Sequence, residues 1–157
     1  MSPRLTQLAQ LLQIKHEAAK QAHLELIKLK EQFIQNKTRH EQLVVYRQDY
    51  LQQLELLGGE GSSVGRLRNR IDFINHLDTA LIQLNTHLAQ LAKNRSKAEV
   101  NYNVAKASEE GIVKLIERVK KAEELKLQRT EQKESDEYAQ KQWYSKKMND
   151  QSNSFGE

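Results

Sequence analysis

Residues 58–65 read Gly58-Gly59-Glu60-Gly61-Ser62-Ser63-Val64-Gly65 and contain four of the six glycines in a chain of 157 residues. The only proline is Pro3, in a position that the first turn of a helix tolerates. Few other turns are therefore possible, and most of the chain is predicted to be helical. Ser62 or Ser63 can supply the N-cap of a helix that follows the glycine cluster.

The predicted domain is a single hairpin over 1–147. Its first helix covers about 4–57, its turn 58–65 and its second helix about 66–143. The last residues, 148–157, are polar and are predicted to be a disordered tail. The predicted fold class is all-α, with two long helices in an antiparallel coiled coil and a second helix that extends beyond the first.

A heptad pattern carries the coiled-coil prediction, because period 3.5 held over many repeats indicates a left-handed supercoil. We call the predicted contact positions the seam. In the first helix the seam residues are Leu5, Leu12, Ala19, Leu26, Phe33, His40, Arg47 and Leu54, with Leu8, Lys15, Ala22, Leu29, Asn36, Leu43, Tyr50 and Leu57. In the second they are Leu67, Ile74, Leu81, Leu88, Arg95, Tyr102, Glu109 and Ile116, with Arg70, Leu77, Leu84, Leu91, Ala98, Ala105, Ile112 and Val119.

The pairing register follows from the turn. If Leu57 faces Leu67, the numbers of facing residues add to 124, and Leu26 meets Ala98, large against small. The same register sets Lys15 opposite Glu109, and this pair is predicted to help fix the register.

Two features of the pattern leave alternatives open. The polar seam residues either extend their stems out to water or help to fix the register; they are Asn36, His40, Arg47, Arg70 and Arg95. Residues of about 120–143 have no partner in this register. They form either a solvated, partly frayed helix or a free end that is presented to another protein.

Composition excludes several classes of function. Without cysteine there is no disulfide framework or thiolate metal site, and no histidine pair has the spacing of metal ligands on a helix. The longest clearly apolar run, residues 43–46, is far shorter than the roughly 20 residues that span a bilayer. The N-terminus lacks the apolar region of a secretory signal. We expect no cofactor, no metal, no small-molecule substrate and no catalysis, because two paired helices offer no cleft for a nucleophile.

Nucleic-acid binding is also not expected. The net charge is +4, but lysine and arginine are interleaved with acids along both helices. A nucleic-acid-binding hairpin would instead show steeply salt-dependent binding to arbitrary DNA or RNA.

One surface suits a protein partner. In the predicted register an apolar and aromatic stripe on each helix meets the other, with Tyr50 beside Phe73, and Tyr46 and Phe73 flank the seam and should remain partly exposed. Exposed aromatic rings beside a packed seam are typical of binding hot spots. We call this set the aromatic patch: Leu43, Tyr46, Tyr50, Phe73, Leu77, Ala80 and Leu84.

Three segments resemble the FliJ family, the coiled-coil stalk proteins of the bacterial flagellar type III export apparatus. They are Tyr46-Arg47-Gln48-Asp49-Tyr50, then Ile71-Asp72-Phe73-Ile74-Asn75-His76-Leu77-Asp78-Thr79-Ala80-Leu81, and Lys133-Glu134-Ser135-Asp136-Glu137-Tyr138-Ala139. The resemblance covers nearly the whole chain in length, hairpin layout and turn position.

The resemblance implies a non-enzymatic stalk that links the hexameric export ATPase to the cytoplasmic domain of the membrane export gate. It also implies escort of export chaperones and a place at the cytoplasmic face of the inner membrane. Each residue of the aromatic patch matches a gate-contacting position of the family, although Leu84 stands where some members have histidine. The alternatives are the equivalent stalk of a virulence injectisome and a general coiled-coil scaffold that dimerises.

Overall fold

The computed structural model describes residues 2–59 and 63–155. Its helices are α1, Pro3–Gly59, and α2, Val64–Phe155, and no strand occurs within the described residues. The predicted all-α class is confirmed. The predicted turn is wider than the gap between the helices, since Gly58, Gly59, Val64 and Gly65 are helical. Glu60–Ser62 lie outside the described residues.

A serine caps the N-terminus of each helix. The Ser2 hydroxyl accepts a hydrogen bond from the Leu5 amide at 3.2 Å, and Pro3 occupies the first helical position. Before α2, the Ser63 hydroxyl accepts from the Arg66 amide at 3.4 Å. Of the two serines predicted as the cap, Ser63 therefore does so, and Ser62 lies outside the described residues.

The chain forms two compact units. One, which we call the turn unit, is Ile14–Glu109; the other, the terminal unit, combines Met1–Gln13 with Glu110–Glu157. Each unit contains residues from both helices. The division lies between Gln13 and Ile14 on α1, and between Glu109 and Glu110 on α2.

The predicted seam is the buried face of both helices. Every residue of both predicted registers is buried or half-buried. The most deeply buried apolar residues are all seam residues: in the turn unit Ala19, Leu26, Ile74, Leu77, Leu91 and Ala98, and in the terminal unit Leu5 and Val119. A period of 3.5 residues keeps the same face of each helix turned towards its neighbour. The heptad interpretation is confirmed, because the residues at this period are the buried ones.

Contacts across the turn unit confirm the antiparallel register. Four pairs of rings or charged groups join α1 to α2: Tyr50 with Phe73, His23 with Tyr102, His16 with Glu109 and Arg47 with Asp78. The residue numbers add to 123 for the first pair and to 125 for each of the other three. Every sum therefore lies within one of the predicted 124.

Each arginine of the seam contacts a side chain of the other helix. Arg47 donates to the Asp78 carboxylate, Arg70 donates to the Gln53 side chain, and the Arg95 guanidinium lies 5.5 Å from the centre of the Phe33 ring. Each contact joins α1 to α2 within the turn unit. Between the two alternatives for these residues, the structure favours a role in the register over stems that only reach out to water.

The end of α2 differs from the prediction. The helix extends to Phe155 rather than ending near 143, so the disordered tail predicted for 148–157 is wrong over 148–155. Residues 156–157 lie outside the described residues. The last half-buried side chain is Glu123, and every described side chain from 124 to 153 is exposed. We call 124–153 the overhang, which agrees with the partnerless stretch predicted in the second helix.

Candidate functional site

The aromatic patch lies entirely within the turn unit, and the exposure of its side chains ranges from buried in the floor to exposed at the rim. Leu77 is buried on the seam. Tyr46 and Phe73 are exposed, at 55% and 43% of their full surfaces, as their flanking positions predict. The remaining members are half-buried: Leu43, Tyr50, Ala80 and Leu84.

A stacked cluster holds the exposed rim in place. The Tyr50 and Phe73 rings lie 4.4 Å apart between centroids, tilted by 35°. The Arg70 guanidinium lies 5.7 Å from the centre of the Tyr50 ring, and Arg70 also bonds to Gln53. Aromatic pairs and cation–π contacts of this kind each add a modest stabilisation beyond buried area. The Phe73 ring is thereby fixed on one side and exposed on the other, as a rigid anchor for a partner requires.

An ion pair lies beside the patch. Arg47 and Asp78, both only partly exposed, bond across the two helices. In sequence they fall next to Tyr46 and Leu77. This pair therefore joins α1 to α2 directly beside the patch.

The predicted pairing of Lys15 with Glu109 requires a correction. The carboxylate of Glu109 bonds to His16, at 3.0 Å between Oε1 and Nδ1, and Lys15 is a half-buried seam residue in neither of the described ion pairs. The residue numbers of His16 and Glu109 add to 125, one more than the sum of 124 that the turn predicts.

The His16 bond also sets the acidity of Glu109. It is the main reason that the pKa of Glu109 lies below its ordinary value, with a smaller contribution from the charge of Lys106, and partial burial opposes both. The neighbouring His23 and Tyr102 rings lie 5.1 Å apart, tilted by 43°. These residues line one shallow hollow with Ala19 and Lys20.

Sequence reasoning missed an aromatic cluster on the overhang. Trp143 and Tyr144 meet edge to face at 5.0 Å, and Lys147 lies 4.8 Å from the centre of the Trp143 ring. Tyr138 and Met148 are also exposed nearby in sequence. The available signal was that Trp143 is the only tryptophan of the chain.

A second missed feature is a hollow in the terminal unit. It is lined by Leu115, Val119 and Ala122 among charged residues, three of them cationic: Arg4, Arg118, Glu123 and Lys126. The heptad pattern does not predict it, because none of its charged residues is a seam residue.

Neither a metal centre nor a membrane span appears in the part of the chain that the structure describes. No three histidine or acidic side chains there come close enough to hold a metal ion. Neither described helix has a stretch that is both long and apolar enough to cross a bilayer.

Comparison with known proteins gives one match. The family model described as "Flagellar FliJ protein" matches residues 4–148, which is most of the chain. No curated protein and no solved structure matches. The matched range includes most of both helices, the whole aromatic patch and most of the overhang. The chain belongs to the FliJ family, whose proteins are components of the flagellar type III export apparatus.

Proposed function

We propose that the chain is a non-enzymatic coupling stalk that links the hexameric export ATPase to the cytoplasmic domain of the membrane export gate. The observation that carries the proposal is the aromatic patch, where Tyr46 and Phe73 expose rings beside the packed seam. A partner that covered these two rings would bury a large apolar surface against side chains that are already ordered. Such anchors lose little conformational entropy on binding.

The gate contact is assigned to the patch. Phe73 and Tyr46 would enter apolar pockets of the gate domain, while the half-buried Tyr50, Leu43, Ala80 and Leu84 would supply the surrounding contact. Leu77 lies beneath them and would support the surface rather than touch the partner, because it is buried.

The ATPase contact is assigned to the overhang. Its described side chains are exposed over a long helical stretch, and they mix both signs of charge. A helix with no intramolecular cover can enter the central pore of a ring and meet its walls on all sides. The exposed Trp143, Tyr144 and Met148 would give this contact an apolar component.

Two parts of the proposal rest on family membership. The chain would escort empty export chaperones, and it would work at the cytoplasmic face of the inner membrane, at the flagellar base. The family description is flagellar, which favours this role over the injectisome stalk. Membership of an export-apparatus family also favours it over a general scaffold.

Capture of both partners by one chain tests the proposal. The gate domain is immobilised and the purified export ATPase is passed over it with or without the full chain. Coupling predicts that the ATPase is retained only when the chain is present. A Tyr46→Ala/Phe73→Ala variant should abolish retention, whereas Ile34→Ala/Val100→Ala, which trims two exposed side chains outside the patch, should not. If the wild-type chain retains no ATPase, the coupling role is wrong.

A further inference from the structure

The cationic hollow of the terminal unit combines an apolar floor with cationic side chains. Its floor is apolar, with Val119 buried, Leu115 half-buried and Ala122 exposed. Arg4 from the start of α1, with Arg118 and Lys126 from α2, lie around this floor. An apolar floor with cations at its edge can hold an aliphatic side chain and its neighbouring carboxylates at the same time.

The positive charge of this region is not balanced by its neighbours. The first acidic residue of the chain is Glu17, so Arg4 has no acidic neighbour in its own part of α1. Over 110–129, α2 carries six lysines and arginines against four glutamates. The two ion pairs of the described residues both lie in the turn unit, so Arg4, Arg118 and Lys126 are in neither. Their charge is available to a partner.

The spacing of the cations suits a helical occupant. Arg118, Ala122 and Lys126 follow one another at intervals of four residues, so they line one face of α2 and the two cations are separated by about 12 Å along its axis. Carboxylates at the same interval on a second helix would meet both. Beyond Glu123 every described side chain of α2 up to residue 153 is exposed, so this face of α2 is open at the end of the hollow that Lys126 lines.

We propose that this hollow binds an acidic amphipathic helix, with one leucine-sized side chain on Leu115, Val119 and Ala122 and with carboxylates at Arg4, Arg118 and Lys126. The cations around the hollow favour an acidic partner by charge complementarity. The partner helix would lay its apolar face on the floor of the hollow, as amphipathic helices do in apolar grooves. The proposal goes beyond the coupling role, because it requires only that the partner be acidic and helical.

Glu123 provides a test of whether the hollow selects an acidic occupant. It is the one carboxylate on the lining, and it is half-buried. Facing an acidic occupant, it opposes binding. Its removal should therefore strengthen the complex, whereas removal of any rim cation should weaken it.

Fluorescence anisotropy with the full chain tests the site. The probe is a fluorescein-labelled helical peptide of about 20 residues, with leucines at helical spacing on one face and glutamates elsewhere. We expect saturable binding at low salt. The triple variant Arg4→Glu/Arg118→Glu/Lys126→Glu should weaken it about tenfold or more, since each exposed charge contact contributes about a factor of two. Glu123→Gln should tighten it about twofold.

The control is a second triple variant with the same change in net charge. Lys28→Glu/Lys93→Glu/Lys97→Glu reverses three exposed lysines of the turn unit and should leave most of the affinity in place. Circular dichroism verifies that each variant keeps its helix content. Absence of binding by the wild-type chain, equal weakening by both triples, or weaker binding by Glu123→Gln would each overturn the proposal.

Discussion

The ring of Tyr50 rests on the ring of Phe73, with 4.4 Å between centroids and a tilt of 35°. Tyr50 is a half-buried seam residue of α1, whereas Phe73 is an exposed residue of α2 that flanks the seam. One contact therefore joins the packing of the two helices to the surface assigned to the gate. Changes at this pair affect stability and recognition together, and the two effects can be separated by measurement.

The Tyr50–Phe73 pair should show a coupling in stability. We expect a double-mutant cycle with Tyr50→Leu and Phe73→Leu to give an interaction of about 0.5–1.5 kcal/mol, the usual range for an aromatic pair. Urea unfolding measures it. The cycle Tyr46→Leu with Val100→Leu joins two exposed sites with no seam contact between them and serves as control; an equal coupling there would contradict the assignment.

Leu26 and Ala98 should tolerate an exchange of size better than either change alone. Both are buried, and the register sets them opposite each other. Leu26→Ala should cost about 2–4 kcal/mol through a cavity, and Ala98→Leu about 1–3 kcal/mol through overpacking. The double variant should be more stable than the sum of the two losses predicts, because the new leucine fills the space left by the old one. Strict additivity in urea unfolding would show that the residues do not face each other.

Glu109 should stabilise the fold above, but not below, the pH at which it titrates. Because its pKa is lowered in the folded chain, its contribution is complete above the unfolded value of about 4.3 and is lost as pH falls through the folded value. The melting temperature of the wild type should exceed that of Glu109→Gln at about pH 6, and the difference should shrink towards about pH 3. Thermal unfolding by circular dichroism measures both. Glu110→Gln, at the exposed adjacent position, is the matched control.

Trp143 should report the ATPase contact. It is the only tryptophan, and 56% of its surface is exposed, so burial in a pore should shift its emission to shorter wavelength. Addition of the export ATPase should produce the shift, and addition of the gate domain alone should not. A chain truncated after Lys120 should also stimulate the ATPase less than the full chain. An unshifted spectrum together with full stimulation by the truncated chain would contradict the role of the overhang.

The seam could be predicted because a heptad repeat depends on spacing alone. From Leu5 to Val119 the repeat identifies the buried face, and the glycine cluster fixes the register to within one residue. That one residue decides finer contacts, and for this reason His16 rather than Lys15 bonds to Glu109. Tyr46 and Phe73 could be placed on the rim because both flank the seam.

Other features depend on information that the repeat does not carry. The polar composition of 148–157 predicts disorder, but α2 continues to Phe155. Between 66 and 155 Gly111 is the only glycine and no proline occurs, so no residue interrupts the helix. The cationic hollow combines Arg4 with Lys126, which lie far apart in sequence and are not seam residues. Only the packed structure places them around a common floor.

Calorimetric titration of the gate's cytoplasmic domain into the full chain tests the coupling role most directly. The wild type should bind, and Tyr46→Ala/Phe73→Ala should lose at least about 2 kcal/mol of binding free energy, as expected for two hot-spot rings, while keeping its helix content. Ile34→Ala/Val100→Ala should bind like the wild type. Wild-type affinity in the Tyr46→Ala/Phe73→Ala variant would contradict the assignment of the aromatic patch to the gate.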